Sequence, residues 1–243
     1  MEGAAPGVEG SARTVFFMST GSNAVWAVVP LKSPEAAKSR LRVGLDDRAR
    51  QRLMFAMARQ VVRTLKQARG IAGVAVVTAS AEIAAYVEQE GAAVIRQDRD
   101  AGTAEACRSA VAHLSASADS LLMISGDIPL ICSDAVAALV DLSRRTPLVA
   151  IVPDRRRTGT NALLCAPPAV IPPCFGADSF QRHLAAARSR GVELRIVESD
   201  ALSLDIDDLE DLDELRRRLD ADPTLLPVKL REALPRKEEV PAQ

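Results

Sequence analysis

A chain of 243 residues with 48% hydrophobic, 26% charged and 3% aromatic side chains must build its core from Ala, Val, Leu and Ile, which suits one α/β domain. Its 31 basic and 32 acidic side chains nearly cancel, so there is no cationic footprint for a nucleic acid, and no apolar run approaches the roughly 20 residues of a membrane span. Cys107, Cys132, Cys165 and Cys174 lack paired spacing and do not cluster with His113 or His183, which argues against zinc and for reduced structural thiols in a cytoplasmic monomer or homodimer.

Residues 1–23 are rich in Gly, Ala and Ser, and Val15-Phe16-Phe17-Met18 lacks the basic start and long apolar stretch of a secretory signal. A disordered extension is expected there, in which Met18 could serve as an internal start site. Strand-like runs follow at 25–29, 71–78, 92–96, 120–125, 148–152, 161–165 and 192–197. The long helix after the first strand carries the stripe Leu53, Met57, Val61, Leu65, flanked by Met54, Ala58 and Val62, and should pack on the sheet. Further helices are expected at 81–89, 103–114, 134–144, 178–190 and about 207–219. The last opens with Asp208, Glu210 and Asp211 and closes with Arg216-Arg217-Arg218, matching its dipole. The alternation predicts a mostly parallel, doubly wound sheet in one domain over 24–220, with ligands at the carboxyl ends of the strands. Pro223, Pro227, Pro235 and Pro241 punctuate a polar segment over 221–243, expected to be a peripheral tail.

Four segments carry chemistry. Past the first strand, Val29-Pro30-Leu31-Lys32 and Ala37-Lys38-Ser39-Arg40-Leu41 place Lys32, Lys38 and Arg40 in one loop, which could grip a triphosphate or be a solvated basic loop. The fourth strand runs into Ser125-Gly126-Asp127, setting a carboxylate at its end to hold a divalent cation, with a glycine that would let a nucleotide approach; the alternative is a turn aspartate. In Leu204-Asp205-Ile206-Asp207-Asp208, acids at i and i+2 of a strand would face one side, suggesting an Mg²⁺ site completed by Asp127; otherwise Asp207 is the cap of the last helix. Finally, Thr160 and Ser179 hydroxyls with the Gly176 amide could bind an anionic acceptor, unless Asp178 or Ser179 is only a cap and His183 a polar face residue.

Together, Val29-Pro30-Leu31-Lys32 with Lys38-Ser39-Arg40-Leu41, Gly159-Thr160-Asn161-Ala162-Leu163, Phe175-Gly176 with Ser179-Phe180 and His183, and Leu204-Asp205-Ile206-Asp207 resemble the phospholactate guanylyltransferase family, over roughly residues 24–218. That family includes the phosphoenolpyruvate guanylyltransferases of coenzyme F(420) biosynthesis. The resemblance implies a glycosyltransferase-A-like nucleotidyltransferase fold, GTP and Mg²⁺, and an acceptor phosphate that attacks the α-phosphorus with loss of pyrophosphate. It implies metal binding at Asp127, Asp205 and Asp207, acceptor binding at Thr160, Gly176 and Ser179, and phosphate-charge stabilisation by Lys32. Two segments depart from the family pattern: Gly102-Thr103-Ala104-Glu105-Ala106-Cys107 replaces a Leu-Asn-Ala-Leu type segment, and Thr158 replaces a common glycine. The acceptor, 2-phospho-L-lactate, phosphoenolpyruvate or 3-phospho-D-glycerate, stays open. So do a sugar-phosphate or molybdopterin nucleotidyltransferase and a non-catalytic nucleotide-binding module. No Gly-x-Gly-x-x-Gly turn follows the first strand, so an oxidoreductase is disfavoured.

Overall fold

Alternate residues of the first strand, β1 (Val25–Pro30), go to opposite faces of the sheet, and each face is covered by helices. Val25, Ala27 and Val29 belong to one buried cluster, Trp26 and Val28 to another. In this computed structural model, residues 23–33, 41–42 and 44–235 are described. Residues 1–22 of the extension expected over 1–23, together with Lys38 and Arg40, lie outside the described residues.

The elements after β1 are α1 (Asp47–Gln67), β2 (Ile71–Thr78), α2 (Ala81–Gln89), β3 (Ala93–Arg96), α3 (Thr103–Leu114), β4 (Ser120–Ile124) and α4 (Ser133–Leu142). They continue with β5 (Leu148–Pro153), β6 (Thr160–Ala166), α5 (Ser179–Ser189), β7 (Glu193–Ile196), α6 (Leu209–Ala221) and α7 (Val228–Ala233). The seven strands form one sheet in the order β3-β2-β1-β4-β6-β5-β7. All neighbouring pairs are parallel except those made by β6, which runs antiparallel to both β4 and β5.

Helix α1 shows why the sequence folds this way locally. Asp46 caps it, its side chain accepting from the Ala49 amide at 2.6 Å, and the expected stripe Leu53, Met57, Val61 and Leu65 is fully buried. Helices α1, α2 and α4 cover one face, while α3 and α5 cover the other.

Three expectations are corrected. Residues 202–207 form no strand; they leave a turn at Ser199 and run as an irregular segment held by the Ile206 amide, which donates to the Asp127 carbonyl at 3.2 Å, so Asp205 and Asp207 do not owe their placement to a β ladder. The segment after α6 is not merely peripheral up to residue 235: a 3₁₀ turn at Pro223–Leu225 leads into α7, and Leu226 and Leu230 are buried in a third cluster with Leu53, Met57 and Leu212. Cys107 and Cys165 are buried, as structural thiols should be, but Cys132 is exposed and Cys174 half-buried.

Candidate active site

The reversal of β6 decides the site. Because it runs antiparallel, its first residues arrive at the same sheet edge as the last residues of β1, β4 and β5. Pro153 pairs with Thr160, and the Ser125 amide donates to the Asn161 carbonyl at 2.8 Å. A cavity of about 460 Å³ opens at this edge. It is lined by Lys32 past β1, Asp127 past β4, Asp154 past β5, Thr160 and Asn161 opening β6, Gly176 and Ser179 at the start of α5, and Asp205 and Asp207 before α6.

On one wall, Thr160 and Ser179 are buried against the cavity and Gly176 is exposed beside them. Gly176 has φ +112°, a left-handed conformation that glycine adopts without strain, and nothing would obstruct a Cβ there. Asp178 stands at the cap position of α5 in a left-handed conformation, φ +52°, and its side chain makes no capping bond. The cap reading of Asp178 is thereby overturned. The Phe180 amide instead donates to the Thr158 carbonyl at 3.2 Å, joining α5 to the β5–β6 turn.

His183 is not a surface residue but fully buried, between the Cys174 amide, which donates to Nε2 at 2.8 Å, and Thr160 Oγ1, 3.0 Å from Nδ1. Burial, with the Arg182 charge adding to it, pushes its pKa down to about 4, so the ring is neutral at physiological pH.

Carboxylates line the same cavity. Asn161 is buried, and its side-chain amide donates to Asp205 Oδ1 at 3.3 Å and to the Leu202 carbonyl at 3.0 Å. The cap of α6 is Asp208, which accepts from the Asp211 amide while Asp211 accepts from the Asp208 amide; Asp207 is therefore not the cap. Buried Asp211 also pairs with Arg155 and Arg156 of the β5–β6 turn, at 3.2 and 3.0 Å. The turn and the entry to α6 are thus tied together beside Asp205 and Asp207.

These carboxylates do not form the expected closed cluster: among the described residues, no three His, Cys, Asp or Glu side chains are grouped to hold a metal by themselves. The donor chemistry nevertheless fits Mg²⁺, because Asp127, Asp205 and Asp207 offer hard oxygens to one cavity and Mg²⁺ is usually bound by one or two carboxylates with phosphate oxygens and water. Gly126 lines the cavity and also has a packing reason, since a Cβ there would lie 2.3 Å from the Leu31 side chain.

Of the residues singled out in the sequence, Lys32, Asp127, Thr160, Gly176, Ser179, Asp205 and Asp207 all line the cavity. Sequence reasoning missed Asp154, which accepts from the Thr158 amide at 2.7 Å and from its hydroxyl at 3.1 Å. Thr158, the departure from a common glycine, serves this turn. Sequence reasoning also gave Asn161 no role, although the polar pair Thr160-Asn161 opening an otherwise apolar strand was a readable signal. Thr103, in the other departing segment, opens α3 and lines the cavity too.

Residues 25–218 match the family described as "Guanylyl transferase CofC like". The chain is 41% identical over 194 residues to the phosphoenolpyruvate guanylyltransferase of Rubrobacter xylanophilus, covering 79% of this chain and 93% of that protein. It is 33% identical over 189 residues to the 3-phospho-D-glycerate guanylyltransferase of Colwellia psychrerythraea, covering 77% and 89%. A solved nucleotidyl transferase from Methanothermobacter thermautotroptrophicus superposes with a TM-score of 0.58 at 19% identity, covering 82% of this chain and 99% of that one, a likeness of fold alone.

Proposed function

Because the chain belongs to the guanylyl transferase CofC-like family, and is with it a nucleotidyltransferase of glycosyltransferase-A-like fold, we propose that it transfers GMP from GTP to the phosphate of a small three-carbon acid. Phosphoenolpyruvate is the favoured acceptor, since the relative at 41% identity carries that name. The proposal includes a role in coenzyme F(420) biosynthesis in the cytoplasm, as a monomer or homodimer. The observation that carries the reading is one cavity lined by a cation, Lys32, by carboxylates, Asp127, Asp205 and Asp207, and by the neutral donors Thr160, Gly176 and Ser179.

The division of labour follows from charge. Lys32, exposed at the rim, offers positive charge to the triphosphate, and its effect grows as charge builds on the bridging oxygen. Lys38 and Arg40 would extend this grip. Asp127, Asp205 and Asp207 would hold Mg²⁺, which when bound supplies neutralisation of phosphate charge. Thr160, Ser179 and the Gly176 amide hold the acid so that its phosphate oxygen faces the α-phosphorus. That oxygen forms the new P–O bond, the α–β phosphoanhydride bond breaks, and pyrophosphate departs with the electron pair.

The test supplies GTP and Mg²⁺ with phosphoenolpyruvate, 2-phospho-L-lactate or 3-phospho-D-glycerate in turn, following pyrophosphate release with a downstream enzyme pulling the product forward. One acid should stand out, with phosphoenolpyruvate expected. Silence with all three alongside turnover of a sugar 1-phosphate or molybdopterin overturns the reading, and GTP binding with no turnover of any acceptor points to a non-catalytic module.

A further inference from the structure

The two ring nitrogens of His183 hold opposite roles, and the partner on one side dictates the role on the other. A backbone amide can only donate, so the Cys174 N–H at 2.8 Å makes Nε2 an acceptor that carries no proton. A doubly protonated ring would set two donors against each other at that contact. The one proton of the neutral ring is therefore on Nδ1, and Nδ1–H donates to Thr160 Oγ1 at 3.0 Å. The Phe175 ring packs edge-on against the imidazole, centroids 5.0 Å apart at 73°, restricting its rotation. With an accepting bond made on its protein side, the Thr160 oxygen can no longer send its own proton to His183. Thr160 lines the cavity, so its hydroxyl is left to donate there.

We propose that His183 is a positioning residue that fixes the Thr160 hydroxyl as a hydrogen-bond donor to an anionic oxygen, carboxylate or phosphate, of the acceptor acid. The inference rests on the guanylyl-transfer reading, with Thr160 at the acceptor subsite. It explains why a histidine that never reaches the cavity sits in the same local framework as Thr160 and Phe175. A hydroxyl oriented this way favours an oxyanion over a neutral hydroxyl, because a hydrogen bond to an ionised acceptor is the stronger one, and it disfavours a donor-only group, which would leave both donors unpaired.

Two measurements test it. The chain has two histidines, so ¹⁵N NMR of the wild-type rings resolves His183 readily; Nδ1 protonated with Nε2 bare is expected, and a proton on Nε2 overturns the proposal. In kinetics, His183→Phe should raise KM for phosphoenolpyruvate by ~10-fold or more, as loss of a charge-assisted hydrogen bond predicts, with KM for GTP within about threefold. The same change in a Thr160→Val background should add less than about twofold, since the group through which His183 acts is gone. His183→Asn, which keeps a donor towards Thr160, should recover part of the loss. Equal losses in both backgrounds, or a matching rise in KM for GTP, overturn the inference while leaving the proposed function standing. Wild-type chain that turns over no acid sinks both.

Discussion

The side-chain amide of Asn161 donates to the Asp205 carboxylate at 3.3 Å and to the Leu202 carbonyl at 3.0 Å, so the opening of β6 directly orients a candidate metal ligand 44 positions later in the chain. Asn161→Ala removes both bonds. The half-saturating Mg²⁺ concentration for turnover should then rise ~10- to 100-fold, the usual cost of losing a group that orients a ligand. An unchanged Mg²⁺ titration would assign Asn161 to loop anchoring alone.

Lys32 is the described cation at the rim of the cavity where the triphosphate is proposed to lie. Lys32→Ala should lower kcat by ~100-fold or more, because a preorganised charge is worth most in the transition state. Turnover within about threefold of wild type would place Lys32 in a solvated loop.

His183 also makes stability depend on pH. Its folded pKa, pushed down by burial to about 4, lies below the value of about 6.5 in an unfolded chain, so the unfolded state binds the extra proton first. Stability should therefore fall as pH drops from 6.5 towards 4, by roughly 3 kcal/mol from this group at pH 4, and be flat in this respect above pH 7. Urea unfolding of wild type and His183→Phe checks the sign: the two curves of stability against pH should converge on the acid side. A steeper acid loss in the variant would contradict it.

Leu230 of α7 is buried beside α1, so residues after α6 belong to the folded unit. Leu230→Ala should destabilise the protein by about 2 to 4 kcal/mol, the range for a truncated core leucine, read as a lower urea midpoint at constant slope. A loss below about 0.5 kcal/mol would return this segment to the periphery.

Much of this protein is set by local sequence. Helices 81–89 and 103–114 begin and end where their patterns say, the Leu53, Met57, Val61, Leu65 stripe is buried as its spacing requires, and the motifs around Lys32, Thr160, Ser179 and Asp205 carry the family resemblance. Periodicity and capping act within one element, so one element's residues suffice to read them. The direction of β6 was not readable in this way, because an apolar strand of the same composition serves a parallel or an antiparallel neighbour equally well. Only the assembled sheet, in which β6 inserts antiparallel between β4 and β5, brings Thr160 and Asn161 to the edge where Lys32 and Asp127 end their strands. Likewise the roles of His183 and Asp211 depend on partners far along the chain: the Thr160 hydroxyl, and Arg155 and Arg156. A hydrogen bond between distant residues leaves no period in the chain, so it exists for the reader only once packing has set the distance.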